Sequence, residues 1–334
     1  MSNRARASGE ERLIARHFRP LARHPGAFGL EDDAASITPP TGCDLVITTD
    51  ALVSGVHFFP DDPPDTVGSK SLRVNLSDLA AKGAQPLGFL LALALPDDFS
   101  ESWLARFAEG LGADGDAFNC PLLGGDTVRT TGPTTISISA FGAVKNGQMV
   151  RRAGAQPGDL VVVTGTIGDS AIGLLLRKDP GLRTRLGLSA DQLDELVGRY
   201  LRPQPRSAIA ELLPRFVSAA MDVSDGLLGD LEKLCCASNV AAEIHAEHVP
   251  LSDAARAALA ADPAVLETIV TGGDDYEILA TAASTNVGSL CKEASARGVV
   301  VSVIGRLASG DGEVQVIDPT GKPIALRRRA FSHF

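Results

Sequence analysis

Residues 161–176 of this 334-residue chain read VVVTGTIGDSAIGLLL, and this stretch decides the fold class. Its β-branched start favours an extended strand, the glycines that follow favour a turn, and the apolar residues after Asp169 have helical spacing. A strand followed at once by a helix is a building unit of mixed α/β architectures. We therefore predict a strand over Leu160–Thr164, a glycine turn and then a helix.

The same alternation runs through the N-terminal part of the chain. A short strand is predicted over residues 45–49, an amphipathic helix over 70–82 and a second helix over 103–111. Residues 87–95 predict a buried strand or a pair of strands, and residues 134–144 alternate as a half-buried strand does. Strands interleaved with helices predict a mixed α/β or α+β fold.

One polar segment punctuated by glycine and proline divides the chain. Residues 151–159 read RRAGAQPGD, and a fresh predicted strand follows them. A length of 334 residues is comfortable for two domains. We expect an N-terminal domain over residues 1–150 and a C-terminal α/β domain over residues 151–334.

Composition and charge exclude several classes of partner. The formal net charge of −10 argues against nucleic acid and anionic membranes, because the long-range field repels both. Five scattered cysteines without a CxxC pair favour a reducing, cytoplasmic compartment, and the longest apolar run, 87–96, is too short to span a membrane. The arginine-rich N-terminus contains GEERLIARHF (9–18), whose spacing predicts a native first helix rather than a transit peptide.

Six groups of aspartates follow apolar runs and stand beside Gly, Ser, Thr or Asn. They are Asp32 and Asp33, Asp50, Asp78, Asp126, Asp222 and Asp225, and Asp274 and Asp275. Each alone suits a turn or a helix start, but we expect them to gather at the carboxyl ends of strands. Two such charges 4 Å apart repel by about 4 kcal/mol at an effective dielectric constant of 20. The pattern therefore predicts a magnesium-phosphate site, since carboxylate oxygens are hard ligands.

Common phosphate-enzyme signatures are missing from the sequence. There is no GxxxxGK[ST] loop, no protein-kinase HRD or DFG, and no HExxH metal spacing. No Ser-His-Asp or Cys-His arrangement suggests itself either. His57, in SGVHFF, is the only histidine inside a tight motif, and by itself a histidine beside aromatic residues is more typical of core packing than of a binding site.

The motifs in this order resemble the thiamine-monophosphate kinase family of the aminoimidazole ribonucleotide synthetase-like superfamily. The resemblance runs from about residue 9 to the end through GLEDDAA, TTDALVSGVHF, KSLRVNLSDLAAKGAQP, LLGGDTV, VTGTIGDSAIGL, LRPQPR, MDVSDGL, TGGDDYE and FSHF. It implies a homodimer whose N-terminal domains pair into a shared β-barrel. It also implies direct, magnesium-assisted transfer of the γ-phosphoryl group of ATP to thiamine monophosphate, without a phosphoenzyme.

The resemblance also implies roles for individual residues. The expected magnesium ligands are Asp33, Thr48, Thr49, Asp50, Asp78, Asp126, Asp222 and Asp225, of which Asp78, Asp126 and Asp222 act in catalysis. ATP is expected to contact Gly125, Asp126, Arg152 and Ser224, and thiamine monophosphate to contact His57, Asp274 and Phe331. No general base is required, because a phosphate monoester with a second pKa of about 6 is already anionic near neutral pH.

Three positions depart from the family pattern. Glu31 stands where glycine is usual, Asp274 where glutamate is common, and Ala108 where some relatives carry an aromatic residue near ATP. The alternatives are another ATP-dependent enzyme of the superfamily or a non-catalytic nucleotide or divalent-ion sensor. Selenophosphate synthetase would call for a reactive Cys and Lys near the N-terminus, and the hydrogenase-maturation relative ends in a cysteine, whereas this chain ends in His333 and Phe334.

Overall fold

The computed structural model describes residues 9–328 and 330, which divide into two compact units. The first unit comprises the residues up to Leu79 and Gln85–Asn146, and the second comprises Ala80–Ala84 and the residues from Gly147 onward. The sequence showed no sign that Ala80–Ala84, at the end of a helix, would belong to the second unit. Within the described ranges, no helix has both the length and the apolar character needed to cross a membrane.

Helices and strands alternate along most of the described chain. The α-helices are α1 (Gly9–Leu13), α2 (Pro64–Ala81), α3 (Glu101–Ala117), α4 (Asp169–Lys178), α5 (Leu182–Arg185), α6 (Ala190–Leu201), α7 (Leu213–Phe216), α8 (Leu227–Ser238), α9 (Asp253–Ala261), α10 (Val265–Thr271) and α11 (Ser284–Ser295). The strands are β1 (Cys43–Val53), β2 (Gln85–Pro96), β3 (Leu122–Thr130), β4 (Thr135–Lys145), β5 (Leu160–Thr164), β6 (Ala219–Asp222), β7 (Val240–His245), β8 (Ile278–Ala282), β9 (Val301–Ser309) and β10 (Val314–Ile317). The predicted first helix continues from α1 into a π-helical turn over Ile14–Phe18.

The first unit is built on a four-stranded sheet in the order β1-β4-β2-β3. Strand β4 pairs antiparallel with both β1 and β2, and β3 runs parallel to β2. Alternation along β2 buries Phe89, Leu91 and Leu93 on one face, as a period of two requires. The opposite face is open, and on β1 it presents Ile47, which is 61% exposed.

Two helices of the first unit approach each other closely through glycines. A Cβ on Gly68 of α2 would lie 2.2 Å from the carbonyl oxygen of Phe107, and a Cβ on Gly110 of α3 would lie 2.0 Å from that of Asp65. No real Cβ tolerates such distances, so this helix contact requires glycine at both positions. The contact fixes the placement of α2, which carries Asp78.

The second unit has a six-stranded sheet in the order β10-β7-β9-β5-β8-β6. Its central strand β5 is buried on both faces, because Val161 and Val163 belong to one apolar core and Val162 belongs to another. A strand that is covered on both sides reads as a continuous apolar run, and this is why residues 160–164 were recognisable. The mixed α/β architecture in two units agrees with the predicted fold class.

Three of the predicted aspartates do not lie at the ends of strands. Asp50 lies within β1 and Asp126 within β3, whereas Asp78 lies within helix α2. Of the acids named here, Asp222 does end its strand, β6. The expectation of a common strand-end cluster was therefore wrong, and GGDT at 124–127 lies within β3. The apolar run 87–95 is a single strand, β2.

Candidate active site

In the first unit, a strand and a helix bring Thr48 and Asp78 together. The period of β1 places Thr48 and Asp50 on the same face as the buried Val46 and Leu52. Helix α2 packs so that the Thr48 hydroxyl donates a hydrogen bond to Oδ2 of Asp78. An aspartate inside a helix thus meets a strand hydroxyl, and both oxygens are the kind that magnesium accepts as ligands.

The side chain of Thr49 lies on the other face of β1. Its hydroxyl donates to the carbonyl oxygen of Ile138 at 3.1 Å and accepts a bond from the Ser139 hydroxyl at 3.2 Å. The structure therefore does not bring the Thr49 hydroxyl to Asp78.

Asp33 and Asp126 line one cleft in the first unit. The cleft has a volume of about 800 Å³. Its apolar wall includes Phe18, Leu30 and Leu90, and its polar edge carries both carboxylates. Such a mixture of a flat apolar wall and a few polar groups is typical of a small-molecule site.

Gly125 stands next to Asp126 on the floor of this cleft, where the chain tolerates no side chain. A Cβ built on Gly125 would lie 1.8 Å from the carbonyl oxygen of Leu91 on the neighbouring strand. Because any other residue would push β3 away from β2, glycine holds the main chain of β3 close and leaves it accessible from the cleft.

His57 is held in one tautomer by the main chain. The Val53 N–H donates to Nδ1 of His57 at 3.0 Å, so Nδ1 is the acceptor and a neutral ring carries its proton on Nε2. The ammonium of Lys70, which is 3% exposed, donates to the carbonyl oxygen of His57 at 3.2 Å. The main chain thus fixes the tautomer of this half-buried ring.

In the second unit, main-chain hydrogen bonds join the loop after β6 to the segment before β8. The Asp274 N–H donates to the carbonyl oxygen of Ser224 at 2.9 Å. The Tyr276 N–H donates to the carbonyl oxygen of Val223 at 2.8 Å. A Cβ on Gly273 would lie 2.2 Å from the Ser224 carbonyl oxygen, so this approach requires glycine. The two motifs MDVSDG and TGGDDYE thus form one surface.

The residues that the sequence predicts for a site in the second unit lie in these two joined segments. Asp222 is buried at the end of β6, whereas Ser224 and Asp225 are half-buried in the loop that follows it. Asp274 has a positive φ of 71°, and its Oδ1 accepts a hydrogen bond from the Tyr276 hydroxyl at 3.2 Å. Aspartate is one of the few non-glycine residues that adopt this conformation readily.

A buried carboxylate that the sequence analysis did not select organises this loop. Oδ2 of Asp230 on α8 accepts the N–H groups of both Ser224 and Asp225, each at 2.9 Å. Lys233 donates to Oδ1 of Asp230 at 2.8 Å and to Oδ2 of Asp225 at 2.5 Å. Burial raises the pKa of Asp230 despite the opposing hydrogen bond from Lys233. Burial alone would lower the pKa of Lys233, but its two carboxylate partners hold it above its ordinary value.

The glycine turn 165–169 does not offer its amides to a ligand. The N–H groups of Gly168 and Ser170 donate to the carboxylate of Asp275 at 2.8 and 3.4 Å. Asp169 in turn accepts the hydroxyls of Thr166 and Ser252, each at 2.5 Å. These bonds within the protein give the turn a structural role, since they tie it to Asp275 and Ser252.

Comparisons with known proteins place this geometry in a family. Residues 31–144 match the N-terminal domain, and residues 156–317 the C-terminal domain, of AIR synthase related protein. The chain is 42% identical to the thiamine-monophosphate kinase of Caulobacter vibrioides over 90% of this chain and 84% of that one. The chain belongs to the thiamine-monophosphate kinase family.

Solved structures of the thiamine-monophosphate kinase family share this fold. The crystal structure of the enzyme from Stenotrophomonas maltophilia K279a is 40% identical, with a TM-score of 0.82, over 94% of this chain and 96% of that one. AaThiL complexed with AMPPCP and TMP is 30% identical, with a TM-score of 0.76, over 92% of this chain and 97% of that one. The second structure is a member of the family with a nucleotide analogue bound.

Two further residues that the resemblance to the thiamine-monophosphate kinase family implies are not part of the contacts described above. Arg152 is exposed, and its carbonyl oxygen accepts the Ser238 hydroxyl at 3.0 Å. Phe331 lies outside the described residues. Of the departures from the family pattern, Ala108 is buried in α3, and Glu31 is exposed and pairs with Arg19 at 3.2 Å.

Among the residues that the structure describes, no three histidine, cysteine, aspartate or glutamate side chains gather as a ready-made metal cage. Thr48 and Asp78 share a hydrogen bond, and Asp33 and Asp126 line one cleft. The carboxylate of Asp225 differs, because an ammonium already binds it.

The sequence analysis did not select Asp230 or Glu277, although the position of each acid in the sequence could have drawn attention to it. Asp230 shares the apolar helical stripe of Leu227, Leu231 and Leu234, where a carboxylate has to find buried partners. Glu277 is fully buried, and its carboxylate accepts Arg199 at 2.7 Å, Nε of Arg206 at 2.5 Å and the Thr164 hydroxyl at 2.7 Å. The motifs RPQPR and GGDDYE are thus joined through a buried ionic network.

Proposed function

We propose that this chain transfers the γ-phosphoryl group of ATP to thiamine monophosphate, giving thiamine diphosphate and ADP. The observation that carries the proposal is the cleft in which Asp33, Gly125 and Asp126 lie together against an apolar wall. An apolar wall suits a nucleoside, and carboxylates at its edge suit the metal ions that accompany its phosphates. The names of the relatives, which are thiamine-monophosphate kinases, support the acceptor.

Within this reaction, the chain has to bind two anions and hold them in line. Bound magnesium ions supply the positive charge that allows two phosphate groups to approach each other. We assign Asp33, Asp50, Asp78, Asp126 and Asp222 as the carboxylates that hold them, with Thr48 and the Thr49 carbonyl as neutral ligands. Carboxylates with hydroxyl or carbonyl companions are the donor set that magnesium prefers.

The other residues bind and orient the substrates. The main chain at Gly125 approaches the nucleotide, Ser224 and Arg152 contact ATP, and the Nε2–H of His57 donates to an anionic oxygen of thiamine monophosphate. Asp274, held at positive φ beside Ser224, faces the acceptor, and Phe331 stacks on it. Because the acceptor phosphate is already ionised near neutral pH, none of these residues has to remove a proton.

We further propose that the protein is a cytoplasmic homodimer. Its first unit leaves the apolar Ile47 exposed on one face of the sheet β1-β4-β2-β3. A second copy that covers this face would bury apolar residues and continue the sheet into a barrel, which also removes its unpaired edges.

The test is an end-point assay with purified protein, ATP, magnesium and thiamine monophosphate, in which thiamine diphosphate is separated by chromatography. We expect thiamine diphosphate and ADP in equal amounts, with no product when thiamine replaces its monophosphate. ADP without thiamine diphosphate would point to another acceptor within the superfamily. An absence of ATP turnover with every divalent metal would contradict the proposal and favour a sensor.

A further inference from the structure

Lys233 lies between two carboxylates of the candidate active site. Its ammonium is 2.5 Å from Oδ2 of Asp225 and 2.8 Å from Oδ1 of Asp230. Asp225 is a residue at which the family resemblance implies a magnesium ion. In this chain, the cation bound to that carboxylate is an ammonium of the protein itself.

The Lys233 side chain is 41% exposed, but its ammonium binds a partner that is buried. Asp230 is completely buried, and its other oxygen already accepts two main-chain N–H groups of the loop 224–225. A buried carboxylate needs a cation or donors close by, and removal of its only counter-ion is strongly unfavourable. Lys233 follows Asp230 by three residues on α8, so the helix itself sets the distance between them.

We propose that Lys233 takes the place of a divalent cation at Asp225, so that this chain binds its nucleotide with one magnesium ion fewer than the set of acids implies. The inference rests on the proposed function, because it concerns the magnesium ions that accompany ATP. An ammonium has three N–H donors, and two of them reach Asp225 and Asp230. The third is available to an oxygen of the nucleotide phosphates.

A divalent ion cannot share the Asp225 carboxylate with this ammonium at low cost. An ion within ligand distance of Oδ2 would lie close to the Lys233 nitrogen, and two cations at such a distance repel each other strongly. Displacement of Lys233 would leave Asp230 buried without its counter-ion.

The experiment counts metal ions directly and does not depend on turnover. Mn²⁺ is titrated into the full-length protein in the presence of AMPPCP, and bound Mn²⁺ per chain is measured by electron paramagnetic resonance. We expect Asp225→Asn to bind as many ions as the unsubstituted protein, whereas Asp222→Asn binds one fewer. Loss of an ion in Asp225→Asn would overturn the proposal, since it would show that Asp225 holds a metal.

Variants of Lys233 provide the converse test. Lys233→Met removes the ammonium at similar side-chain length and should bind one more Mn²⁺, whereas Lys233→Arg keeps a cation and should leave the count unchanged. Lys178→Met, at an exposed lysine in the last turn of α4, is the matched control. Circular dichroism establishes that each variant is folded. An unchanged count in folded Lys233→Met would overturn the proposal.

The two proposals fail in different ways. If the unsubstituted protein binds no Mn²⁺ with AMPPCP, the proposed magnesium-ATP function fails, and this inference fails with it. If Mn²⁺ binds and Asp222→Asn loses an ion, but Asp225→Asn loses one as well, the function stands and only the role of Lys233 is wrong.

Discussion

The N–H of Asp274 donates to the carbonyl oxygen of Ser224 at 2.9 Å, across fifty residues of sequence. This bond joins a motif that we assign to ATP to a motif that we assign to the acceptor. It depends on Gly273, where a side chain would collide with the Ser224 carbonyl. Both assignments lead to measurable consequences in single variants.

Substitution of Asp222 by asparagine should abolish transfer without unfolding the protein. The amide keeps the size of the carboxylate but removes the charge that a magnesium ion requires, so we expect kcat to fall by at least about 10²-fold. The assay is thiamine diphosphate formation at saturating substrates, with circular dichroism as the check of folding. Asp253→Asn, at an exposed position in the second unit, is the control. Near-normal turnover in Asp222→Asn would remove Asp222 from the metal site.

Substitution of Gly125 by alanine should damage both the fold of the first unit and the binding of ATP. Its Cβ would lie 1.8 Å from the Leu91 carbonyl oxygen, so β3 has to move away from β2. We expect a loss of about 1–3 kcal/mol of unfolding free energy and a higher KM for ATP. Thermal denaturation and steady-state kinetics measure the two effects. Gly132→Ala, where a Cβ meets only ordinary contacts, should change neither.

Substitution of His57 by asparagine separates the two ring nitrogens. The amide oxygen can still accept the Val53 N–H in place of Nδ1, whereas the donor at the Nε2 position is lost. We expect KM for thiamine monophosphate to rise about tenfold or more, because a hydrogen bond to a charged group is removed, while KM for ATP is unchanged. An equal rise in both constants would show that His57 does not contact the acceptor.

Asp275 should make the stability of the protein depend on pH. Burial raises the pKa of this carboxyl well above its ordinary value, and the neighbouring Asp169 and Glu277 add to the effect against the Gly168 hydrogen bond and Arg199. A raised pKa means that the folded state binds the proton more tightly than the unfolded state. The contribution of protonated Asp275 to the free energy of unfolding is therefore complete below the unfolded pKa of about 3.9. This contribution is lost as the pH rises through the pKa of Asp275 in the folded state.

The comparison of the native protein with Asp275→Asn isolates this contribution. Asparagine does not ionise, so the difference in Tm, native minus variant, should be most positive near pH 4 and should fall as the pH rises. Differential scanning calorimetry from about pH 4 to pH 8 measures it. A difference that stays constant across this range, or grows with pH, would show that Asp275 has no raised pKa.

Substitution of Ile47 by aspartate should dissociate the proposed homodimer. Ile47 is 61% exposed on the open face of the first unit's sheet, where a second copy would cover it, and a buried unpaired carboxylate is unfavourable there. Light scattering after size exclusion should show a dimer for the native protein and a monomer for Ile47→Asp. Val300→Asp, at a similarly exposed valine in the second unit, should remain a dimer. A monomeric native protein would contradict the assignment.

Local patterns in the sequence predicted several elements because neighbouring residues alone determine them. The strand β5 over Leu160–Thr164 was predicted with its bounds, since a β-branched run ending in glycine has few other conformations. The start of strand β8 was harder to predict, because the sequence alone suggests a strand over 276–281. It begins at Ile278, because Asp274 and Tyr276 take positive φ, which depends on hydrogen bonds to a distant loop.

By itself, the sequence determined the mixed α/β class, the family and the identity of the acids, because these follow from residue types and their local order. Only the tertiary structure decided which acids share a partner. It places Asp78 in a helix against Thr48, separates the side chain of Thr49 from both, and pairs Asp225 with Lys233. The reason is physical: a side chain's partner depends on helix packing, strand register and the need of a buried charge such as Asp230 for a counter-ion, and all of these join residues far apart in the chain.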